Sequence, residues 1–249
     1  SNRRELADPK TLRALAKWGG SHLAESGVAE LNCLGTAGML VGQSLVGGLP
    51  TRNWASGTFE RAEDIGGELI NETIIKERDT CFGCVVRCKP VVEIAEGRYA
   101  VDPRYGGPEY ETLATMGAYC GVSDLAAVAY ANQLCNMYGM DTISCGATIA
   151  WAMDCFQQGL LTVEDTGGID LRFGNAEALV QMVELIGKRE GFGRILGEGS
   201  ARAARYLGAG QYLVVATKGQ EYPAHMPHVK GGVALLYTVH PGGADHTIL

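Results

Sequence analysis

Apolar positions along the chain recur mostly with helical spacing. Val128, Ala131, Cys135 and Tyr138 stand at i, i+3, i+7 and i+10 behind Ser123, a residue type suited to capping a helix start. Leu179, Met182, Val183 and Ile186 repeat the pattern behind Asn175. Between them, Thr142 to Phe156 is apolar nearly all round (Ile143, Ala147, Ile149, Ala150, Trp151, Met153), which predicts a helix buried in a multihelical body and started by Asp141. Leu12, Leu15, Ala16 and Leu23 mark an early helix, and Leu196, Ser200, Ala203, Ala204 and Leu207 a late one. Another opens at Gly107–Thr112 and runs to about Ala118, with acidic residues in its first turn, where the helix dipole favours them. The pattern predicts roughly six to eight helices. Strand signals are few: Val91–Ile94 and Arg98–Val101 around Glu96-Gly97 read as a hairpin, and Tyr212–Ala216 as one isolated strand. The expected fold is mainly α, a multihelical domain or domains with one or two short β-hairpins. No repeat occurs at a fixed period, and the composition shifts most between Gly208 and Gly219, which suggests a domain boundary near residue 215.

The 249 residues are ample for a buried core, so a metal is not needed merely to hold the fold. Lys and Arg number 21 against 28 Asp and Glu, a formal charge of −7. No basic run exceeds Arg3-Arg4, so the electrostatic footprint of a nucleic-acid or anionic-membrane binder is missing. The longest apolar stretches, such as Val233–Val239, fall short of the roughly 20 residues that span a bilayer, and no basic-then-apolar leader opens the sequence. A cytoplasmic protein is expected. A start at Ser1-Asn2 and a stop just after the polar cluster His240–Thr247 read as a segment of a longer polypeptide.

Eight cysteines occur, and three form Cys81-x-x-Cys84-x-x-x-Cys88 directly before the predicted hairpin. In a reduced compartment a disulfide framework is disfavoured. Three thiolates within eight residues, on a loop containing Gly83, can converge on an iron-sulfur cluster or on zinc. Zinc usually takes two Cys-x-x-Cys or Cys/His pairs and no second pair exists, whereas a cluster commonly takes three clustered cysteines and a remote fourth; a purely structural role is the third alternative. Cys135, Cys145 and Cys155 fall on core helices, where cysteine acts as a small hydrophobe. None is an evident fourth ligand, which points beyond Leu249.

Two histidine-bearing stretches remain. His240-Pro-Gly-Gly-Ala-Asp245-His246 is a glycine-rich turn of the kind that places side chains in a cleft. In Glu221-Tyr-Pro-Ala-His225-Met-Pro-His228 the prolines prevent the histidines from sharing a helix face, so metal binding is not expected there. Gly191-Phe-Gly193-Arg-Ile-Leu-Gly197 lacks the strand and the glycine at 196 that a dinucleotide fingerprint requires.

Six phrases, in order, resemble the aldehyde ferredoxin oxidoreductase family of tungsten-pterin enzymes: Leu49-Pro-Thr-Arg-Asn53-Trp54, Cys81-Phe-Gly-Cys84-Val-Val-Arg-Cys88, Gly107-Pro-Glu-Tyr-Glu111, Gly139-Met-Asp141-Thr-Ile-Ser, Glu221-Tyr-Pro-Ala-His225 and Gly243-Ala-Asp-His246. The resemblance runs from about residue 28 to the end and covers the middle of the family's chain. It implies that residues 1–215 are the helical second domain, carrying three cluster cysteines, and 216–249 the start of a truncated third. Cys81, Cys84 and Cys88 would be three ligands of a 4Fe-4S cluster passing electrons between a tungsten or molybdenum bis-pterin and ferredoxin. The family's pterin-binding Asp-x-x-Gly-Leu-Asp/Cys motif falls on Asn136-Met-Tyr-Gly139-Met140-Asp141, where Asn136 departs from the usual aspartate and offers an acceptor without charge. Glu111 would be the active-site carboxylate, His246 the nearby histidine, and Tyr110 a wall of the pocket. The implied reaction is aldehyde oxidation to a carboxylate in the full-length parent, the segment alone being inactive; a homodimer is common in the family. Alternatives are a related reductase of a carboxylate or aromatic thioester, or a segment with only a scaffold role.

Overall fold

The computed structural model describes residues 5–247 and is mainly α. Eleven α-helical segments occur among them: α1 Pro9–Ser21, α2 Ala29–Leu34, α3 Met39–Leu45, α4 Gly67–Thr73, α5 Tyr110–Thr112, α6 Leu125–Tyr138, α7 Thr142–Gln157, α8 Ala176–Lys188, α9 Gly193–Leu196, α10 Ser200–Leu207 and α11 Gly231–Val239. Two antiparallel pairs complete the regular structure, β1 (Ile75–Asp79) with β2 (Lys89–Val92) and β3 (Ala216–Thr217) with β4 (Gln220–Glu221). No single helix among the described residues is long and apolar enough to cross a membrane.

The central helices begin and end for reasons visible in their side chains. Asp124, one residue past the expected cap Ser123, accepts the Ala127 amide at 3.1 Å and starts α6. Gly139 ends it in the left-handed region (φ 68°), and the Met140 amide returns to the Cys135 carbonyl at 2.8 Å. Asp141 then accepts the Ser144 amide at 2.7 Å and starts α7, so Gly139–Asp141 joins two helices tightly. Asn175 caps α8 through the Ala178 amide. Helix α7 runs through the interior, with Ile149, Trp151 and Met153 essentially inaccessible. Each such side chain contributes about 1.5–3 kcal/mol of apolar burial. Trp151 satisfies its indole N–H on the Gly210 carbonyl at 2.9 Å.

Against α7 lies the least regular buried stretch. The expected helix from Gly107 begins only at Tyr110, widens into a π-helical turn over Leu113–Gly117 and tightens into a 3-10 turn over Ala118–Cys120. Thr115 bridges the widened turn, its hydroxyl meeting the carbonyls of Glu111 at 2.7 Å and Thr142 at 3.1 Å. Gly146 lets α7 approach this closely: a Cβ there would stand 2.6 Å from the Thr115 carbonyl group.

Three expectations are corrected. The late helix is two pieces, α9 and α10, separated at Gly197–Gly199, where Gly199 has φ 86°. Tyr212–Ala216 is no isolated strand: Gln211–Leu213 forms a 3-10 turn, and Ala216 begins the two-residue β3. Ile94 and Val101 pair through a single bridge, whereas the regular ladder joins β1 to β2, with Asp79 opposite Lys89. The charged run Lys76-Glu-Arg-Asp79 gave β1 no apolar alternation by which to be read. The cysteine triplet is therefore the tip of a hairpin and does not precede one.

Candidate active site

Tyr222-Pro-Ala-His225 leaves β4 without regular structure, yet three buried tyrosines hold it, two of them more than a hundred positions away. Tyr119 donates to the Tyr222 carbonyl (2.9 Å), Tyr237 to Pro223 (3.0 Å) and Tyr110 to Ala224 (2.6 Å). Burial pushes the phenols of Tyr110 and Tyr237 far above their usual range, so each remains an O–H donor. Upstream, the buried Glu221 accepts the Ser200 amide (2.8 Å) and hydroxyl (2.7 Å), tying the loop to the start of α10. On the other side Trp54 meets Tyr119 and Tyr222 edge-on, at 5.7 and 5.5 Å between centroids. Trp54 closes a run of three left-handed residues, Arg52, Asn53 and Trp54 (φ 45°, 49° and 69°). That strain is held by Arg52 and Asn53 amides on the carbonyls of Ala118 and Tyr119, both 3.0 Å, and by the Asn53 side chain on Asp154 and Leu213.

The pinned loop aims His225 at Glu111. Glu111 Oε2 accepts the Ala224 amide at 2.8 Å, while Oε1 lies 3.1 Å from His225 Nε2 and 3.5 Å from His246 Nε2. The three side chains are only 14% (His225), 16% (Glu111) and 25% (His246) exposed, enough for a small molecule to reach and too little for bulk water to screen them. Oε1 is buried and makes no aligned hydrogen bond, so one lone pair of the carboxylate is left for another group. Tyr110 stacks on His225, with centroids 5.6 Å apart, and the His225 and His246 rings lie 5.1 Å apart. Lys230 Nζ stands 2.7 Å from His225 Nδ1. Ligand atoms of Glu111, His225 and His246 lie within 4.8 Å of one another, close enough for one metal ion. The lysine argues against that use: an ammonium can only donate, so it occupies Nδ1 and leaves the proton on Nε2, the nitrogen a metal would need.

The expected pterin residues lie apart from this cluster. Asn136, Met140 and Asp141 line a cleft of about 600 Å3 with Tyr105, Asn132 and Thr112, between the ends of α6 and α7 and the β1–β2 hairpin. Its polar groups suit a large polar ligand. Asn136 donates to the Tyr105 carbonyl at 2.9 Å, which leaves its oxygen as an acceptor, and Asp141 uses one oxygen as the α7 cap. Helix α5 links the two places, since Glu109 and Thr112 line the cleft while Glu111 meets the histidines. Glu109, unremarked in the sequence, is bound by the Thr36 hydroxyl, and burial pushes its carboxyl up against the opposing pull of Thr36 and Arg78.

Cys81, Cys84 and Cys88 sit on the hairpin tip, the first two exposed and the third half-buried. A turn from the Cys84 amide to the Cys81 carbonyl (3.0 Å), Gly83 at φ 72° and Thr80 on the Cys84 carbonyl (2.6 Å) shape the loop. Burial pushes the Cys88 thiol up, and Glu109 adds to this. Among the described residues these three sulfurs do not all fall within 4.8 Å of one another. Tetrahedral zinc, with Zn–S bonds of about 2.3 Å, would draw them to about 3.8 Å. Cys120, Cys135, Cys145 and Cys155 are buried, and burial pushes Cys155 up to about 12, as expected of inert core thiols.

His225 is the site residue the sequence did not single out. The prolines around it argue only against a helix and give no hint that Tyr119, Tyr110 and Tyr237 fix the loop. Comparison with known proteins gives the family. The family model for aldehyde ferredoxin oxidoreductase, domains 2 & 3, matches residues 14–248. The tungsten-containing aldehyde ferredoxin oxidoreductase of Pyrococcus abyssi is 39% identical over 203 residues, covering 79% of this chain and 32% of that protein. The aliphatic sulfonate oxidoreductase WOR-like subunit of Pyrococcus furiosus is 30% identical over 212 residues, covering 80% and 32%. The chain thus spans about a third of the length of the relatives it matches. In fold it is similar to the active-site complex BamBC of benzoyl coenzyme A reductase, solved with 1,5-dienoyl-CoA, with a TM-score of 0.68 at 18% identity over 93% of this chain and 36% of that one. By the family match along nearly its whole length, the chain belongs to the aldehyde ferredoxin oxidoreductase family, as a part of its domains 2 and 3.

Proposed function

We propose that the full-length parent is a tungsten or molybdenum pterin oxidoreductase that converts aldehydes to carboxylates and passes the electrons through a 4Fe-4S cluster to ferredoxin. One observation carries this reading: the Glu111 carboxylate, with an open lone pair on Oε1, faces two histidines beside a polar cleft lined by Asn136, Met140 and Asp141. The pterin-bound metal, when present, supplies the oxygen-transfer and two-electron chemistry. Glu111 takes a proton from water or the hydrated aldehyde at Oε1, the oxygen without an aligned donor. His246 Nε2, 3.5 Å away, hydrogen-bonds the carbonyl oxygen and moves a proton, and Tyr110 walls the pocket through its stack on His225. Asn136, Met140 and Asp141 hold the pterin edge, Asn136 by a neutral acceptor. Cys81, Cys84 and Cys88, three thiols within eight residues on one loop, ligate the cluster.

Relatives support a second reading for the substrate alone. The sulfonate oxidoreductase subunit is 30% identical over 80% of this chain, which supports machinery compatible with a substrate other than an aldehyde. The test is metal analysis with a visible spectrum on anaerobically purified full-length parent, followed by aldehyde-dependent dye reduction. Iron at about four atoms per chain with tungsten or molybdenum is expected. Zinc alone, or no metal, would overturn the reading, and a loaded protein inert to aldehydes would favour the second.

A further inference from the structure

Lys230 lies at the edge of the site and belongs to none of the roles above. Its Nζ is 2.7 Å from His225 Nδ1, at the start of α11 and five residues from the histidine. An ammonium has three donors and no acceptor, so Nδ1 must present its lone pair. A neutral imidazole then carries its proton on Nε2, which faces Glu111 Oε1 at 3.1 Å, and a carboxylate can only accept. The opposite tautomer, or an imidazolium, would set N–H against N–H at 2.7 Å. The other groups facing His225 do not change this. Tyr110 stacks on its ring and gives its hydroxyl to Ala224, and His246 meets it ring to ring at 5.1 Å.

We infer that Lys230 fixes His225 as the Nε2–H tautomer, so that an N–H and not a lone pair faces the Glu111 carboxylate, and that Lys230 and His225 are positioning residues for the Glu111 site. The row runs from ammonium through neutral ring to carboxylate: the ammonium donates to Nδ1, and the ring N–H on Nε2 faces Oε1 at 3.1 Å. Glu111 is held by the Ala224 amide on Oε2, while the His225 N–H stands 3.1 Å from Oε1 without forming an aligned hydrogen bond. Its remaining acceptor capacity is then directed toward His246 and the substrate. Burial pulls the Lys230 ammonium down, and the Glu111 charge across the ring opposes that pull.

The tautomer assignment stands on these distances; its consequence for turnover rests on the reading in the previous subsection. The test is magic-angle-spinning NMR of full-length parent carrying 15N-histidine, with His225 assigned by its loss in His225→Gln. Wild type and Lys230→Arg are expected to show a protonated Nε2 and a bare Nδ1. Lys230→Met is expected to populate the Nδ1–H form. Its kcat should fall about tenfold, a fraction of the ~10²-fold scale of a general base, with pterin metal and KM unchanged and with rescue by Lys230→Arg. A bare Nε2 in wild type, or an unchanged tautomer in Lys230→Met, overturns the inference whether or not the enzyme oxidises aldehydes. An altered tautomer with unchanged kcat keeps the assignment and overturns the positioning role. Retained metal in each variant reports that it has folded, and Lys230→Gln repeats the comparison should Lys230→Met fail to do so.

Discussion

The Glu111 site and the Cys84 loop are held in opposite ways. Around Glu111 every neighbour is supplied by this chain: the Ala224 amide, two histidines, and a loop whose three successive carbonyls each receive a buried tyrosine hydroxyl. Around Cys84 the chain supplies little beyond backbone turns and Thr80, and its neighbour Phe82 is fully exposed. The carboxylate site is thus preorganised by packing, whereas the thiol loop has its geometry to gain from what it binds. Preorganisation is what acid–base chemistry needs, because a proton-transferring group is effective only at hydrogen-bond reach. A metal-binding loop needs less, since coordination energy itself orders the ligands.

The largest expected effect tests the first half of that contrast. In full-length parent, Glu111→Gln should lower turnover at least ~10²-fold while leaving tungsten or molybdenum content unchanged, because the substitution keeps shape and removes only the base. Steady-state kinetics alongside metal analysis decide it, and wild-type turnover would remove Glu111 from the chemistry. Next in size is Tyr119→Phe. It strips the donor from the Tyr222 carbonyl in the interior, a loss of about 1–3 kcal/mol, read as a lower melting temperature of the chain. Should Tyr119→Phe melt like wild type, the loop would owe its position to something other than these hydroxyls.

The thiol loop should behave differently. In metal-free chain, Cys84→Ser changes an exposed side chain away from the core, so stability should stay within about 0.5 kcal/mol. In full-length parent the same substitution should cost iron. A large loss of stability without metal would mean that the loop is structural in its own right.

This difference also explains what was legible in the sequence. Local signals were read well: Asp141 and Asn175 start helices where a capping residue precedes a periodic apolar run, and the buried α7 announces itself by composition. Signals that depend on distant partners were not. β1 is a charged strand that exists because β2 returns beside it, and Gly199 breaks a periodic run because Glu221 reaches back to the next helix. His225 becomes a site residue only when Tyr119, over a hundred positions away, fixes the carbonyl of Tyr222. The cysteine spacing was visible because metal ligands on one loop are a local pattern. The Glu111 cluster was visible only in part, through Glu111 and His246, because its geometry is tertiary.

The smallest expected effect concerns the turn that delivers His246. Asp245 Oδ1 accepts both the amide and the hydroxyl of Thr247 at 2.7 Å, and these bonds, with a smaller Coulombic pull from His240 and His246, hold its carboxyl below the usual range. A depressed folded value means that the contribution is fully present above the unfolded value of about 4 and is lost as pH falls through the folded one. Because the group is exposed, the turn should loosen without unfolding the chain. The Thr247 amide resonance should therefore titrate with a midpoint below about 4 in wild type and stay flat in Asp245→Asn, whose amide oxygen keeps the acceptor but cannot ionise in this range. A flat wild-type profile would show that the backbone alone sets the His246 turn, and the preorganised half of the molecule would then extend to its last described residues.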